Sequence, residues 1–259
     1  MRTALASVAL LCSSCVFLSA PTPMTFRPDP LGGQGNAAAG GTKPKCLIVF
    51  LPGAGDNGSA YFDQGFVKMV RDHQLSADIV ASDATFRYYF KGNFLERFEK
   101  DVMAPNLAKN YEHVWLVGIS MGGFGSLFYP SQRPGQVDGV LAMAPWLGDD
   151  DFTMKIHQAG GVKAWQAPEK APVNEDNYQA QMWRWLKAVN LGEEAGPKLW
   201  LGWGTKDQAM SGSDEMLGAI MPKDHLFSAE GGHEWKPWKE MFERFLTVSD
   251  IATQCAPGS

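Results

Sequence analysis

Six short stretches of the chain are almost wholly apolar: Cys46 to Leu51, Ala77 to Ser82, His113 to Ile119, Val137 to Ala144, Lys198 to Trp203 and His225 to Ala229. Most lack the alternation of a strand with one wet face, which is the pattern of strands covered on both sides. Between them the spacing changes to that of helices. Residues 93–111 carry Phe94, Phe98, Val102 and Leu107 near helical spacing with charges in between, and Trp235 to Val248 repeats the pattern with Trp238, Met241, Phe242, Phe245 and Leu246. Alternating strands and helices predict an α/β fold with a mostly parallel central sheet and helices on both faces. The stretch 146–196 has no strand pattern and holds Trp165, Trp183 and Trp185 among Pro and Gly. It predicts a helical insertion ahead of the Lys198 to Trp203 strand, either a cap over one end of the sheet or ordinary crossover helices on its face.

The ends of the chain have a different character. Met1 and Arg2 precede an uncharged, apolar run from Ala4 to Ala20, the layout of an export signal or a membrane anchor over residues 1–20. Cys15 after small residues resembles a lipidation site of bacterial lipoproteins, and Ser19-Ala20 suits an ordinary signal peptidase; both remain open. Residues 21–44, rich in Pro, Gly and Ala, offer little to bury and predict a flexible tether. The folded domain is then expected over 45–250, with 251–259 as a tail. Cys46 opens a strand and Cys255 lies in the tail, so in an oxidising compartment the two could pair and pin the C-terminus.

Composition narrows the function. In 259 residues, hydrophobic side chains make up 45% and charged ones 20%, enough for a sizeable core. A net charge of -5 does not suit a phosphate backbone, so nucleic acid is not an expected partner. No two His stand at ligand spacing and the later Cys are far apart, so no metal is expected.

The chemistry concentrates at Gly118-Ile119-Ser120-Met121-Gly122-Gly123, between a buried strand and a helical run through Phe124, Leu127 and Phe128. Strand, Gly-x-Ser-x-Gly and helix in that order form a nucleophile elbow, which lifts a Ser hydroxyl above the sheet at the N-terminus of a helix. A Ser nucleophile needs a base, and the base needs an acid to fix its tautomer. Of five His, His73, His113, His157 and His225 fit surface or core positions, whereas His233 follows the last strand within Glu230-Gly231-Gly232-His233-Glu234-Trp235. Asp207, in the turn Gly204-Thr205-Lys206-Asp207 after its strand, is the expected acid, with Asp214 as the fallback and Asp149-Asp150-Asp151 as a solvated run. The Gly-rich loop Leu51 to Gly58 follows the first strand and lacks the ending of a P-loop; the N–H groups of Ala54 and Met121 are the candidates for an oxyanion hole.

Taken together, the Gly-rich loop, the elbow, the late Gly-x-x-Asp and Gly-Gly-His before a closing helix resemble an α/β-hydrolase over about residues 45–248. Gly-Gly-His-Glu-Trp with Trp238 three residues on is similar to the C-terminal end of esterase D-like enzymes, a group that includes S-formylglutathione hydrolases, carbohydrate esterases and mycolyl transferases. The resemblance implies an eight-stranded ancestor, a serine acyl-enzyme and no cofactor. Many relatives have His-Gly where this chain has Pro52-Gly53, and a first hairpin is either missing or hidden in 21–44. The expectation is a serine hydrolase cleaving small-molecule or lipid-like carboxylic esters and exported, either secreted or periplasmic or tethered to a membrane by its N-terminus. Acyl transfer on the same fold and a non-catalytic binding module are the alternatives. Phe62, Phe86, Tyr88, Tyr89, Phe90 and Trp146 either border the pocket or belong to the core.

Overall fold

A computed structural model describes residues 20–31 and 43–257. In chain order the elements are β1 (Phe26–Asp29), β2 (Cys46–Leu51), α1 (Ser59–Asp63), α2 (Phe66–Asp72), β3 (Ala77–Ser82), α3 (Phe86–Phe90), α4 (Phe94–Arg97), a π-helical segment (Phe98–Met103), α5 (Ala104–Leu107), β4 (His113–Ile119) and α6 (Met121–Gln132). They continue with β5 (Gly139–Met143), α7 (Asp150–Gln158), α8 (Tyr178–Asn190), β6 (Lys198–Gly204), α9 (Ser211–Gly218), β7 (Leu226–Ala229), α10 (Trp235–Val248) and α11 (Ile251–Gln254). The export or anchor run falls on residues 1–19, outside the described residues. The helical register widens ahead of Pro105, whose nitrogen has no proton to donate to the preceding turn.

The seven strands form one sheet in the order β1-β3-β2-β4-β5-β6-β7, parallel except for β1. Every residue of β2 is buried, and successive side chains enter opposite cores. Leu47, Val49 and Leu51 join α6 and α8 on one face, while Ile48 and Phe50 join α2 and α10 on the other. This double burial explains the unbroken apolar runs in the sequence. Helix α10 buries the stripe Trp238, Met241, Phe242, Phe245 and Leu246 and leaves its charged side in water.

Two expectations are corrected. Residues 21–44 are not all tether, because Phe26–Asp29 pairs antiparallel with β3, Phe26 opposite Ser82, and Met24 is buried in the core. Its four residues make one antiparallel edge strand, too short and too proline-interrupted to show as an apolar run. Nor is 251–259 a free tail: α11 packs Ile251 into the core, and Cys255 is bonded to Cys46 with their Cα atoms 5.6 Å apart. In the insertion, α8 lies on the sheet's face against α6, burying Met182, Trp183 and Leu186 there, so this part is a crossover helix. The loop before α7 instead borders the C-terminal edge of the strands.

Candidate active site

All the chemistry expected from the sequence gathers at the C-terminal edge of the parallel strands, where α/β sheets place their ligands. Ser120 lies between β4 and α6 with φ 55° and ψ −118°, a left-handed conformation that strains a residue with a Cβ. Crowding holds it there. A Cβ on Gly118 would come within 2.1 Å of the Gly122 carbonyl oxygen, and one on Gly122 within 2.0 Å of the Leu51 carbonyl oxygen, so neither position has room for a side chain. The backbone of Ser120 is tied on both sides, its N–H donating to Met143 O at 2.9 Å and its carbonyl accepting from Trp146 N–H at 3.1 Å.

Asp207 and His233 meet across the loops that follow β6 and β7. His233 Nδ1 and Asp207 Oδ2 are 2.7 Å apart, and Asp207 Oδ1 accepts the N–H groups of Ala209 and Met210 at 3.2 Å each. The Asp207 side chain is 1% exposed and that of His233 32% exposed. A buried carboxylate with both oxygens engaged fixes one face of the imidazole and leaves the other open. The edge of Trp238 meets the His233 ring, with centroids 5.0 Å apart at 88°. Close packing of the two loops requires Gly204, where a Cβ would lie 2.4 Å from Gly231 O. No hydrogen bond joins Ser120 Oγ to His233 among the described residues; the loops bring the pair to one edge without closing that contact.

The loop after β2 lies over the elbow. A Cβ on Gly53 would stand 3.6 Å from the Ser120 Cβ, and the loop turns through Asp56 N–H to Gly53 O at 3.1 Å. Ala54 is exposed on this turn, and Met121 opens α6, where the first N–H groups have no partner within the helix. Asp83 is a residue that sequence patterns did not single out: its Oδ1 accepts Gly58 N–H at 3.0 Å and so holds the far end of the loop to β3. Arg27 and Thr25 of the N-terminal segment also bind Asp83, which ties β1 to the same place.

The other acids and His separate cleanly. Asp214, the fallback acid, is completely buried with neither carboxylate oxygen hydrogen-bonded. Burial first, then the charges of Asp207 and Glu215, push its pKa well above the usual carboxylate range. His73 pairs with Glu243, His225 binds Leu199 O, and His113 begins β4 at the opposite edge. His157, set aside on sequence, lines a cavity of about 420 Å³ with Trp146, Met154, Gln208, Met210 and Met216, beside the turn that carries Asp207. Another cavity, of about 400 Å³, lies between residues 165–170 and 184–194; Ser120, Asp207 and His233 line neither cavity. Tyr88 is core, whereas Tyr89 and Trp146 each pack edge-on against Phe124 in the first turn of α6. No group of three or more His, Cys, Asp or Glu among the described residues could hold a metal ion.

Comparison with known proteins agrees with this fold. The fold is similar to S-formylglutathione hydrolase from Staphylococcus aureus (TM-score 0.56, 13% identity, 82% of this chain and 83% of that one). It is also similar to a fluorophosphonate-binding serine hydrolase from Staphylococcus aureus (0.56, 12%, 91% and 100%). An S-formylglutathione hydrolase from Agrobacterium tumefaciens gives a TM-score of 0.55 at 12% identity over 90% of each chain. No curated protein matches the chain in sequence. Residues 48–247 match the model of the esterase family, described as "Putative esterase", and the chain belongs to that family as a carboxylic ester hydrolase with the α/β-hydrolase fold.

Proposed function

We propose that the protein is an exported serine esterase that works through an acyl-enzyme, with Ser120 as nucleophile, His233 as base and Asp207 as the acid that orients it. The observation that carries this is the 2.7 Å contact between His233 Nδ1 and buried Asp207 at the sheet edge where strained Ser120 stands. Asp207 holds Nδ1 protonated, which leaves Nε2 as the acceptor for the Ser120 proton. Ser120 Oγ then attacks the ester carbonyl, and the N–H groups of Met121 and Ala54 receive the oxyanion. Collapse expels the alcohol, which takes its proton from His233; water repeats the sequence on the acyl-enzyme and frees the acid and Ser120.

The exposure of the His233 ring favours hydrolysis over acyl transfer, since water reaches the base directly. In the 420 Å³ cavity beside the Asp207 turn, Trp146, Met154, Met210 and Met216 form an apolar side that suits a small or medium apolar group of the ester, facing a polar side with Asp149, Asp150 and His157. Export is supported by the apolar run after Arg2 and by the Cys46–Cys255 bond, which persists in oxidising compartments. A fluorophosphonate probe tests the reading: attachment at Ser120 is the expected result, and a folded, unlabelled protein would indicate a binding module instead.

A further inference from the structure

The register of β1 decides where the N-terminal apolar run joins the fold. Phe26 pairs with Ser82, the last residue of β3, so the chain before Phe26 leaves β1 at the C-terminal edge of the parallel strands, the edge that holds Ser120, Asp207 and His233. It is pinned there. Met24 N–H donates to Asp101 Oδ2 at 2.7 Å, and the Tyr88 hydroxyl of α3 donates to Pro21 O at 2.8 Å. The uncharged run Ala4 to Ala20 therefore ends against α3. On its outer side α3 presents Phe86, 40% exposed, and Phe90, 58% exposed, their ring centroids 5.9 Å apart. Arg87 and Lys91 flank them and form no ion pair among the described residues.

We propose that α3 is a membrane-docking surface, and that the protein sits on a phospholipid bilayer with Phe86 and Phe90 in the interface and its catalytic edge toward the lipid. The inference rests on reading residues 4–20 as an export or anchor segment. If the run stays in the bilayer, Pro21 is the first residue out of it and α3 is in contact with Pro21. If a lipid is attached at Cys15, five residues separate it from Pro21, about 20 Å of extended chain between the two Cα atoms. Either anchor brings α3 to the headgroup region. Two exposed phenylalanines with two cations supply a second contact, one that sets the orientation of the domain on an anionic surface. An ester dissolved in the bilayer would then reach Ser120 without crossing bulk water.

The test uses the full chain in vesicles of phosphatidylcholine and phosphatidylglycerol that contain a phospholipid with a photoactivatable carbene source in its acyl chain. Mass spectrometry locates the label, a readout independent of catalysis, so that failure of docking and failure of the esterase assignment are separable. Label within residues 86–91 is expected. The double variant Phe86→Ser/Phe90→Ser should lose that label and slow hydrolysis of a long-chain nitrophenyl ester carried in the vesicles by about tenfold, with hydrolysis of water-soluble nitrophenyl acetate changed by less than about twofold. Label confined to the N-terminal run or to other surfaces would overturn the proposal, as would equal effects of the substitutions on both esters. Phe90→Ser alone, at the more exposed site, decides the matter if the double variant does not fold.

Discussion

His233 Nδ1 lies 2.7 Å from Asp207 Oδ2, while the nearby carboxyl of Asp214 is buried without a hydrogen-bond partner. Two acids close in sequence are thus given opposite conditions. Asp207 accepts two backbone N–H groups and meets an imidazole, whereas Asp214 has none of these partners.

The first expected outcome concerns activity. Asp207→Asn keeps the shape but can hold the imidazole in the wrong tautomer, so ester hydrolysis should fall by about four orders of magnitude. Asp214→Asn should be mild. Steady-state rates of the two variants check the assignment, and the opposite ranking would move the acid to Asp214.

Asp214 also predicts a dependence of stability on pH. Its folded pKa is raised above the unfolded value, so the native state binds a proton that the unfolded state releases. Stability from this group is complete below about pH 4 and is lost as pH rises toward the raised folded value. Asp214→Asn removes that slope. The difference in Tm between the variant and the parent should therefore widen in the variant's favour from pH 4 to pH 8, and a difference that shrinks over the same range would contradict the burial of a neutral acid.

Ser120→Ala should leave the thermal unfolding profile close to that of the parent, because the side chain is raised at the elbow and packs little. The rate of ester hydrolysis should drop by about a thousandfold or more. Activity within about tenfold of the parent would mean that another residue is the nucleophile.

His233 should govern the acid limb of the pH profile. A base must be neutral to take the Ser120 proton, so activity falls as the imidazole protonates on lowering the pH. His233→Gln should remove both the activity and the limb. Simultaneous replacement of His73, His113, His157 and His225 should keep the limb, and its loss in that variant would point to a different base.

The Cys46–Cys255 bond spans a separation of 209 residues and ties the last helix to the first parallel strand. Cross-linking so long a loop restricts the unfolded chain, and its removal by Cys46→Ala/Cys255→Ala should cost about 2–5 kcal/mol. Chemical denaturation of the parent and the variant measures the loss. Unchanged midpoints would show that the bond does not form in solution.

The parallel strands and the elbow were legible because their causes are local. Strands buried on both faces must be continuously apolar, which gave β2, β3 and β4 to the residue, and Gly118 is required by a contact within one strand-turn-helix unit, whereas Gly122 is required by the end of the neighbouring strand β2. The order of Ser120, Asp207 and His233 along the chain, each after a strand, followed from the same pattern.

What sequence left open was set by partners distant in the chain. Phe26–Asp29 is a strand only because β3 offers it an edge, and four residues with a Pro carry no periodic signal of their own. Cys46 and Cys255 could be judged as a pair only once their Cα separation was fixed. Asp207 and Asp214 were both compatible with the turn after β6, and tertiary structure alone gave one a set of donors and sealed the other away from them. Sequence determines which residues can do the chemistry; solvent exclusion and long-range hydrogen bonding, which no local pattern encodes, decide which of them are in a position to do it.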